Sequence, residues 1–396
     1  MSAVLGVISC AIFIYCHTIT KVYFWNVPYT KDISRFVNKY LHFITFTKNY
    51  ILMELGIGMF GDNHYDRNGN PLSSGNRLRE LIEEIKLMDE TGLDFFGIGE
   101  HHRPDYAVSV PEIVLAAAAT VTKKIKLGSA VTVLSSSDPV RIYQSFATID
   151  QISNGRAEIT AGRGSFIESF PIYGYDLNDY HTLFEEKLEL LVKINQQNPI
   201  TWQGKHRAAL KSQEVLPRAV NDNLKIWVAV GGTPESVVRA AKLGLPVIFA
   251  IIGGNPGQFQ PLFNYYQEAY QHYKHDMDKF EVGVHMHCFF GQDSTKTANE
   301  YYPVYSDQMN RIGRSRGWQP FTRNQFDYSR GPKGHLIIGD ASEAVDKILE
   351  MHELFGLTRF SAHMDVGGPS HASLMKSIEI FGTQIAPKVR EVLRKS

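Results

Sequence analysis

Three side chains that can carry protons stand side by side at Glu100, His101 and His102, directly after the apolar run FFGIG at residues 95–99. Histidine exchanges protons near neutral pH and a carboxylate can orient its ring, so the triplet suits acid and base catalysis. Imidazole and carboxylate groups also bind metal ions, and polar residues at the end of a buried strand can be purely structural. The position of the triplet in the fold has to separate these interpretations.

The composition favours a globular protein that acts on a small molecule. The chain has 396 residues, 43% of them hydrophobic, which is enough for a large core. Lys plus Arg and Asp plus Glu both number 41, so no charge excess points to a nucleic acid or an anionic membrane as partner. The three cysteines form neither a disulfide pattern nor a paired metal motif. This cysteine usage favours a reducing compartment, and we expect a cytoplasmic protein.

The first 52 residues do not follow the pattern of the rest of the chain. Residues 3–16, AVLGVISCAIFIYC, form an apolar run shorter than the ~20 residues that a membrane-spanning helix needs. No Lys or Arg precedes Lys21 and no clear cleavage site follows the run, so we expect no working export signal. We expect residues 1–52 to be an appendage, or the result of a mis-assigned start, and residues 53–390 to form the folded domain.

From Glu54 onward, short apolar runs alternate with helical patterns, which indicates parallel β/α architecture. The candidate strands are 54–60, 94–99, 125–134, 157–162, 225–230, 246–251, 281–290 and 359–366. Eight parallel strands predict a closed (β/α)8 TIM barrel with helices around it. The competing fold is a doubly wound sheet, but the usual G-x-G-x-x-G does not follow the first strand.

Residues 314–334 form the least regular stretch after Met53 and predict an extended segment between the seventh and eighth strands. The stretch is rich in arginine and aromatic residues. We consider two roles for it, a lid over the active site and a solvated loop.

The predicted barrel places the Glu100 triplet in the active site, because barrel active sites lie at the C-terminal ends of the strands. A metal site would have to add histidines from the last two strands, namely His285 with His287, or His363 with Asp365. We disfavour this hypothesis, because barrel metallohydrolases tend to carry their His-x-His pair on the first strand, which here ends in an apolar pair. Structural roles are the alternative for these histidines.

Four motifs resemble those of the bacterial luciferase-like flavin-dependent monooxygenases. In chain order they are EHHRPDY, IKLGSAVTVLSSSDPVR, DQISNGRAEITAGRG and IWVAVGGTPESVVRAAKLGLP. The similarity covers about residues 53–390 and leaves residues 1–52 outside. The resemblance implies a luciferase-like barrel, reduced FMN supplied by a separate reductase, O2 and a small organic substrate as partners, and a homodimer. Some branches of the family use a deazaflavin instead.

The resemblance also assigns roles around the flavin ring. It makes His101 the catalytic histidine, while Glu100 could orient its ring and His102 is the weaker catalytic candidate. By position, the non-proline cis peptide that relatives hold against the flavin would be Ala130-Val131. Ser129 and Thr132 have either a hydrogen bond to the ring or an ordinary strand role.

Two glycine-containing segments are candidates for the phosphate of the cofactor, which needs fixed positive charge and free backbone N–H groups. They are Arg163, Gly164 and Ser165 after the fourth strand, and Gly231, Gly232 and Thr233 after the fifth. Arg163 matches the phosphate-binding arginine of the family, and Thr233 can cap a helix that starts at Pro234. A rival anion site is Gly367 with Gly368, whose alternative role is a tight turn.

One position departs from the family pattern. Where characterised luciferases have a reactive cysteine before the phosphate-binding arginine, this chain has Gly162, so light emission is not implied. The most consistent hypothesis is an FMN-dependent monooxygenase. The alternatives are deazaflavin-dependent hydride transfer, flavin binding without turnover, and a metal hydrolase.

Overall fold

The chain forms a ring of parallel strands in the computed structural model, which describes residues 53–65, 70, 72–164 and 166–395. Residues 1–52, the predicted appendage, lie outside the described residues. The strands are β1 (Glu54–Met59), β2 (Phe95–Ile98), β3 (Lys126–Ser129), β4 (Thr132–Val133), β5 (Ala157–Gly162), β6 (Ile200–Trp202), β7 (Leu210–Gln213), β8 (Lys225–Val230), β9 (Val247–Ala250), β10 (Val282–Phe290), β11 (Ile337–Gly339) and β12 (Arg359–His363).

Parallel pairing closes the barrel. The order β1, β2, β3, β5, β8, β9 and β10 is continuous, and β12 pairs with both β10 and β1. The short β11 pairs with the outer end of β10, and β6 and β7 form a separate antiparallel hairpin. The predicted TIM barrel is therefore confirmed, and the doubly wound sheet is wrong because both sheet edges are paired.

Helices surround the ring of strands. They are α1 (Ser74–Glu90), α2 (Pro111–Val121), α3 (Pro139–Ser153), α4 (Ser169–Tyr173), α5 (Tyr180–Gln196), α6 (Pro234–Lys242), α7 (Gln260–His272), α8 (Ser294–Arg316), α9 (Arg323–Arg330), α10 (Ala341–Phe355), α11 (His371–Ile380) and α12 (Ala386–Lys395). In α1 the periodic residues Leu81, Ile85 and Met88 are fully buried, as their helical spacing predicts. Within the described ranges, every helix is too short or too polar to cross a membrane.

The predicted third strand is interrupted in the structure. Residues 125–134 form β3 and β4, separated by Ala130 and Val131, and the peptide bond between these two residues is cis. Both pieces pair with β5, at Leu127 and at Thr132. The resemblance to the luciferase-like proteins had placed a cis bond at this position, whereas the apolar pattern had predicted one continuous strand.

The segment 314–334 is more regular than its composition predicts. Helix α8 extends to Arg316, and α9 begins after Thr322, whose hydroxyl accepts from the backbone N–H of Gln325 in a capping box. Phe326 is fully buried and its ring lies 5.2 Å from that of Tyr302. The predicted extended segment between the seventh and eighth barrel strands is confirmed, and part of it is helical, because one cap and one buried aromatic ring are enough to order a short helix here.

A buried ion-pair network lies at the N-terminal ends of the barrel strands. Arg359, only 2% exposed, forms ion pairs with Glu54 and Glu158. Its guanidinium lies between two rings, 4.2 Å from the centroid of Phe95 and 4.3 Å from that of Trp227. Although burial opposes ionisation, the pKa of Glu54 is held below its ordinary value by Arg359 and a neighbouring lysine. This network joins β1, β5 and β12 across the barrel.

We expect Arg359→Ala to lower the free energy of unfolding by about 3–5 kcal/mol, because it leaves buried carboxylates without a partner. The matched control is Arg323→Ala, which removes an exposed ion pair with Asp327 and should cost less than about 1 kcal/mol. Denaturant unfolding followed by circular dichroism measures both. Equal losses in the two variants would contradict a special role for the buried network.

Candidate active site

A cavity of about 300 Å³ lies where the barrel strands end. Its lining includes these residues from the sequence prediction: Glu100, His101, His102, Ala130, Val131, Arg163, Gly164 and Gly231. Gly232 and Thr233 lie just outside the lining, and Ser165 is outside the described residues. The closed barrel thus brings the acid/base candidates from β2 and the phosphate candidates from β5 and β8 to one cavity.

His101 lies in an aromatic pocket beside the cavity. Its ring stacks on Tyr106 at a centroid distance of 4.2 Å and lies 4.5 Å from the ring of Phe60. Among the described residues, none forms a side-chain hydrogen bond with this imidazole. Burial, with a smaller contribution from His363, lowers the pKa of His101 to about 3. The ring is therefore neutral at physiological pH and presents free nitrogen atoms rather than a positive charge.

Glu100 does not orient His101, which corrects the expectation from the sequence. One carboxylate oxygen of Glu100 lies 3.0 Å from Nε2 of His102, and the other accepts from the backbone N–H of Val133 at 2.9 Å. Glu100 therefore ties the loop after β2 to β4, on the far side of the cis peptide. Because Glu100 pairs with His102, the imidazole of the catalytic candidate His101 is positioned by packing against aromatic rings.

Arg163 marks the charged end of the cavity. Its guanidinium contacts Nδ1 of His181 at 3.0 Å and donates to Oγ of Ser236 at 3.1 Å. Ser236 lies in the first turn of α6, beside the positive end of the helix dipole. Tyr180, also in the lining, donates to the carbonyl of Gly164 at 2.8 Å. A guanidinium, a hydroxyl and a helix N-terminus together form a site suited to an anion.

Thr233 occupies the N-cap position of α6, as predicted, but its side chain does not cap the helix. Its hydroxyl lies 2.7 Å from that of Ser236 and makes no hydrogen bond to the first backbone N–H groups. Pro234 has no N–H and the N–H of Ser236 donates to the carbonyl of Thr233 at 3.1 Å, so within this turn the N–H of Glu235 is left for a ligand. Gly231 leaves open space above the backbone, because a Cβ built there would have no atom within 4 Å.

Sequence reasoning missed several residues of this site. Ser236 follows the glycine pair at first-turn spacing, which is a signal that could have found it. His181 and Tyr180 carried no signal, because the start of α5 reaches Arg163 only in the folded chain. Phe60 and Phe166 were missed for the same reason, since apolar residues on loops resemble ordinary core residues.

The rival anion site after β12 is wrong. Gly367 and Gly368 have positive φ angles of 86° and 68° and form a tight turn. A Cβ on Gly367 would lie 2.4 Å from the carbonyl oxygen of Val304, and one on Gly368 would lie 2.2 Å from that of Asn63. The N–H of Gly367 donates to a carboxylate oxygen of Asp62 at 2.8 Å and that of Gly368 to the carbonyl of Asp365 at 2.9 Å, so neither N–H is available to an anion. The turn is the role these glycines have.

Each histidine proposed for a metal site uses one ring nitrogen in a hydrogen bond within the protein. Nδ1 of His287 lies 2.9 Å from the hydroxyl of Tyr305, and Nε2 of His363 lies 3.1 Å from Asp365. Asp62, His363 and Asp365 come close enough to share an ion. However, Asp365 already accepts three backbone N–H groups and lies 3.6 Å from the guanidinium of Arg77. These contacts describe a hydrogen-bonded ion pair that fixes the loop after β1.

The segment 314–334 contributes no residue to the cavity lining among the described residues. Its nearest approach is through Arg316, whose guanidinium lies 5.2 Å from the ring centroid of Phe166. The segment therefore reaches the cavity wall through its contact with Phe166. Its role as a lid stays a prediction.

Gly162 has a steric reason in this structure. A Cβ at this position would lie 2.5 Å from Cγ2 of Val131, next to the cis peptide. A cysteine here would collide with Val131. Glycine replaces the luciferase cysteine here because Val131 occupies the space that the cysteine side chain would need.

Comparison with known proteins places the chain in a family. The family model for luciferase-like monooxygenases matches residues 53–358. The alkanal monooxygenase alpha chain of Aliivibrio fischeri is 22% identical over 358 residues, which cover 84% of this chain and 96% of that protein. This chain therefore belongs to the luciferase-like monooxygenase family and is an oxidoreductase.

Solved structures show the same fold. The FMN complex of the oxygenating constituent of 3,6-diketocamphane monooxygenase from Pseudomonas putida has a TM-score of 0.67 at 19% identity, over 85% of this chain and 99% of that one. The coenzyme F420-dependent tetrahydromethanopterin reductase from Methanopyrus kandleri has a TM-score of 0.64 at 20% identity, with the same shares covered. The fold is thus shared by proteins that use a flavin and by proteins that use a deazaflavin.

We expect the ring of His101 to stay neutral from about pH 5 to pH 9, because burial lowers its pKa to about 3. Histidine ring signals in NMR spectra would show this as constant chemical shifts over that range. His371 is the internal control, since its hydrogen bond to Glu84 raises its pKa above the ordinary value. The variants His101→Gln and His371→Gln assign the two signals. A His101 inflection between about pH 5 and pH 8 would contradict the burial argument.

Proposed function

We propose that this protein is a monooxygenase that uses reduced FMN and O2 to oxygenate a small organic substrate. One observation carries the proposal: a single cavity joins an anion site at Arg163 to an apolar, buried end at the neutral ring of His101. A mononucleotide flavin has the same polarity, with a phosphate at one end and an aromatic ring at the other. Membership of the luciferase-like family supports the same assignment.

The residues present fit FMN. Arg163, the hydroxyl of Ser236 and the N–H of Glu235 at the start of α6 would hold the phosphate, and His181 lies beside Arg163. Ala130, Val131 and Gly231 line the cavity with small or apolar, uncharged residues, which suits an aromatic ring system. When bound, reduced FMN would supply the electrons for the reaction of O2 with the substrate.

The chain's own residues would exclude water, hold the walls in place and handle a proton. Phe60 and Phe166 line the cavity and shield His101, whose uncharged ring can accept a proton at a free nitrogen. Glu100 holds the backbone at Val133 and so fixes the segment after the cis peptide. A separate flavin reductase and a homodimeric state remain predictions from the family resemblance.

Arg163→Met is expected to weaken FMN binding roughly 10- to 100-fold, because it removes charge-assisted hydrogen bonds at the phosphate. Titration of FMN fluorescence measures the dissociation constant. Arg323→Met is the matched control, since that arginine pairs with Asp327 on the exposed face of α9. Riboflavin, which lacks the phosphate, should bind the native protein and Arg163→Met equally. Equal FMN affinities in both arginine variants would place the phosphate elsewhere.

The proposed reaction is tested by supplying reduced FMN and isotopically labelled O2 with a panel of small ketones, aldehydes and thioethers. Mass spectrometry should find one labelled oxygen atom in the product, because a monooxygenase transfers one atom of O2 to its substrate. Product formed without O2 from a reduced deazaflavin would instead establish hydride transfer. Tight FMN binding with oxidation rates equal to those of free reduced FMN, and no product, would indicate a flavin-binding protein without turnover.

A further inference from the structure

Most polar atoms on the cavity wall already have partners within the protein. Glu100 is bound to His102 and Val133, Arg163 to His181 and Ser236, Tyr180 to Gly164, and Glu168 to Arg103. Among the lining residues in the described part of the chain, two have a buried side-chain atom without a hydrogen-bond partner, namely Oγ of Ser169 and Nε2 of His285. Ser169 is the first residue of α4, whereas His285 lies on the barrel strand β10.

His285 is held by one nitrogen and unpaired at the other. Its Nδ1 lies 3.0 Å from the hydroxyl of Ser361 on the neighbouring strand β12. Its Nε2 is buried and has no partner among the described residues, although the ring is only 7% exposed and lines the cavity. Burial holds the pKa of His285 well below its ordinary value, so the ring is neutral. Leaving a buried polar atom unpaired costs free energy, so a ligand that pairs with it gains affinity.

The surroundings of His285 restrict what that ligand can be. The ring of Phe60 stacks on the imidazole at 5.9 Å with an interplanar angle of 16°. Ala229, Ala250 and Ile252 line the same region with small or apolar side chains. Arg163 is the one arginine or lysine in the described lining, and it is committed to the phosphate end. A carboxylate or phosphate group would find no counter-charge beside His285.

We propose that His285 binds the oxygen atom of the substrate, and that the substrate is a neutral, mainly apolar molecule with a carbonyl or hydroxyl group. A hydroxyl group pairs with either tautomer of the imidazole, and a carbonyl pairs with the tautomer that carries its proton on Nε2. Ser361 is the positioning residue, because its hydroxyl holds the other ring nitrogen. This inference rests on the proposed function, since it names the substrate class of the same cavity.

The position of the His285 ring also explains why a glycine, Gly58, faces it. A Cβ on Gly58 would lie 2.6 Å from Cε1 of His285 and 2.9 Å from the hydroxyl of Ser361. The glycine on β1 therefore makes the space in which the imidazole and its serine partner are placed. The imidazole fits at this level of the barrel because Gly58 has no side chain.

The test compares two probes of similar shape, p-fluoroacetophenone and p-fluoroethylbenzene, which differ in one carbonyl oxygen. Fluorine NMR titration of the native protein gives the dissociation constant of each. In His285→Leu and in His285→Phe, binding of the ketone should weaken about tenfold relative to binding of the hydrocarbon. This change corresponds to one lost hydrogen bond. The matched control is His287→Leu, which removes an equally buried histidine of the same strand that does not line the cavity.

The ratio of the two constants is the readout that a purely structural role would not change, because general damage weakens both probes. A ratio that stays within about twofold in both His285 variants would overturn the inference, as would an equal change in His287→Leu. A water molecule that fills the site and is not displaced gives the same negative result. FMN affinity, measured on the same samples, reports separately on the proposed function. If the native protein does not bind FMN, the proposed function is overturned, and the ratio of the two probe constants still decides the role of His285.

Discussion

A closed ring of eight parallel strands has to fill its own interior, and the structure depends on how this chain fills the two ends differently. An eight-stranded barrel is just wide enough for side chains to occupy the inside. At one end Arg359 lies between two aromatic rings and pairs with two carboxylates, so a network of charged side chains occupies this part of the interior. At the other end small residues such as Gly162, Ala229 and Ala250 leave the interior open. The cavity is the part of the barrel that side chains do not fill.

Buried polar contacts between neighbouring loops keep this open end rigid. Asp365 accepts the backbone N–H groups of Phe60, Gly61 and Asp62, and so fixes the loop after β1 from the end of β12. Although burial opposes ionisation, His363 and Arg77 hold the pKa of Asp365 at about 2, so it stays an acceptor at physiological pH. Phe60, placed by this loop, contacts the rings of His101, His285 and His363. One ionised carboxylate thus positions the aromatic ring that shields the cavity.

The one arginine or lysine in the described cavity lining is Arg163, and the position of this positive charge relates the site to a flavin. The guanidinium of Arg163 lies with Ser236 at the start of α6, while burial lowers the pKa values of His101 and His285 and so keeps both rings neutral. A neutral imidazole can hydrogen-bond an uncharged ligand without having to attract a counter-ion. The same arrangement disfavours a charged substrate at the inner end.

The sequence by itself determined the architecture and part of the cavity wall. Alternating strand and helix patterns were sufficient for the barrel, since the periods of hydrophobic residues are local properties. The end of β2 located the Glu100 triplet, and the four motifs located Arg163 and the bond between Ala130 and Val131. Tertiary structure alone decided that Glu100 pairs with His102, that α5 completes the anion site and that Gly367 is a packed turn. These outcomes depend on which loops meet across the barrel, and contacts between residues far apart in the chain leave no mark in local spacing.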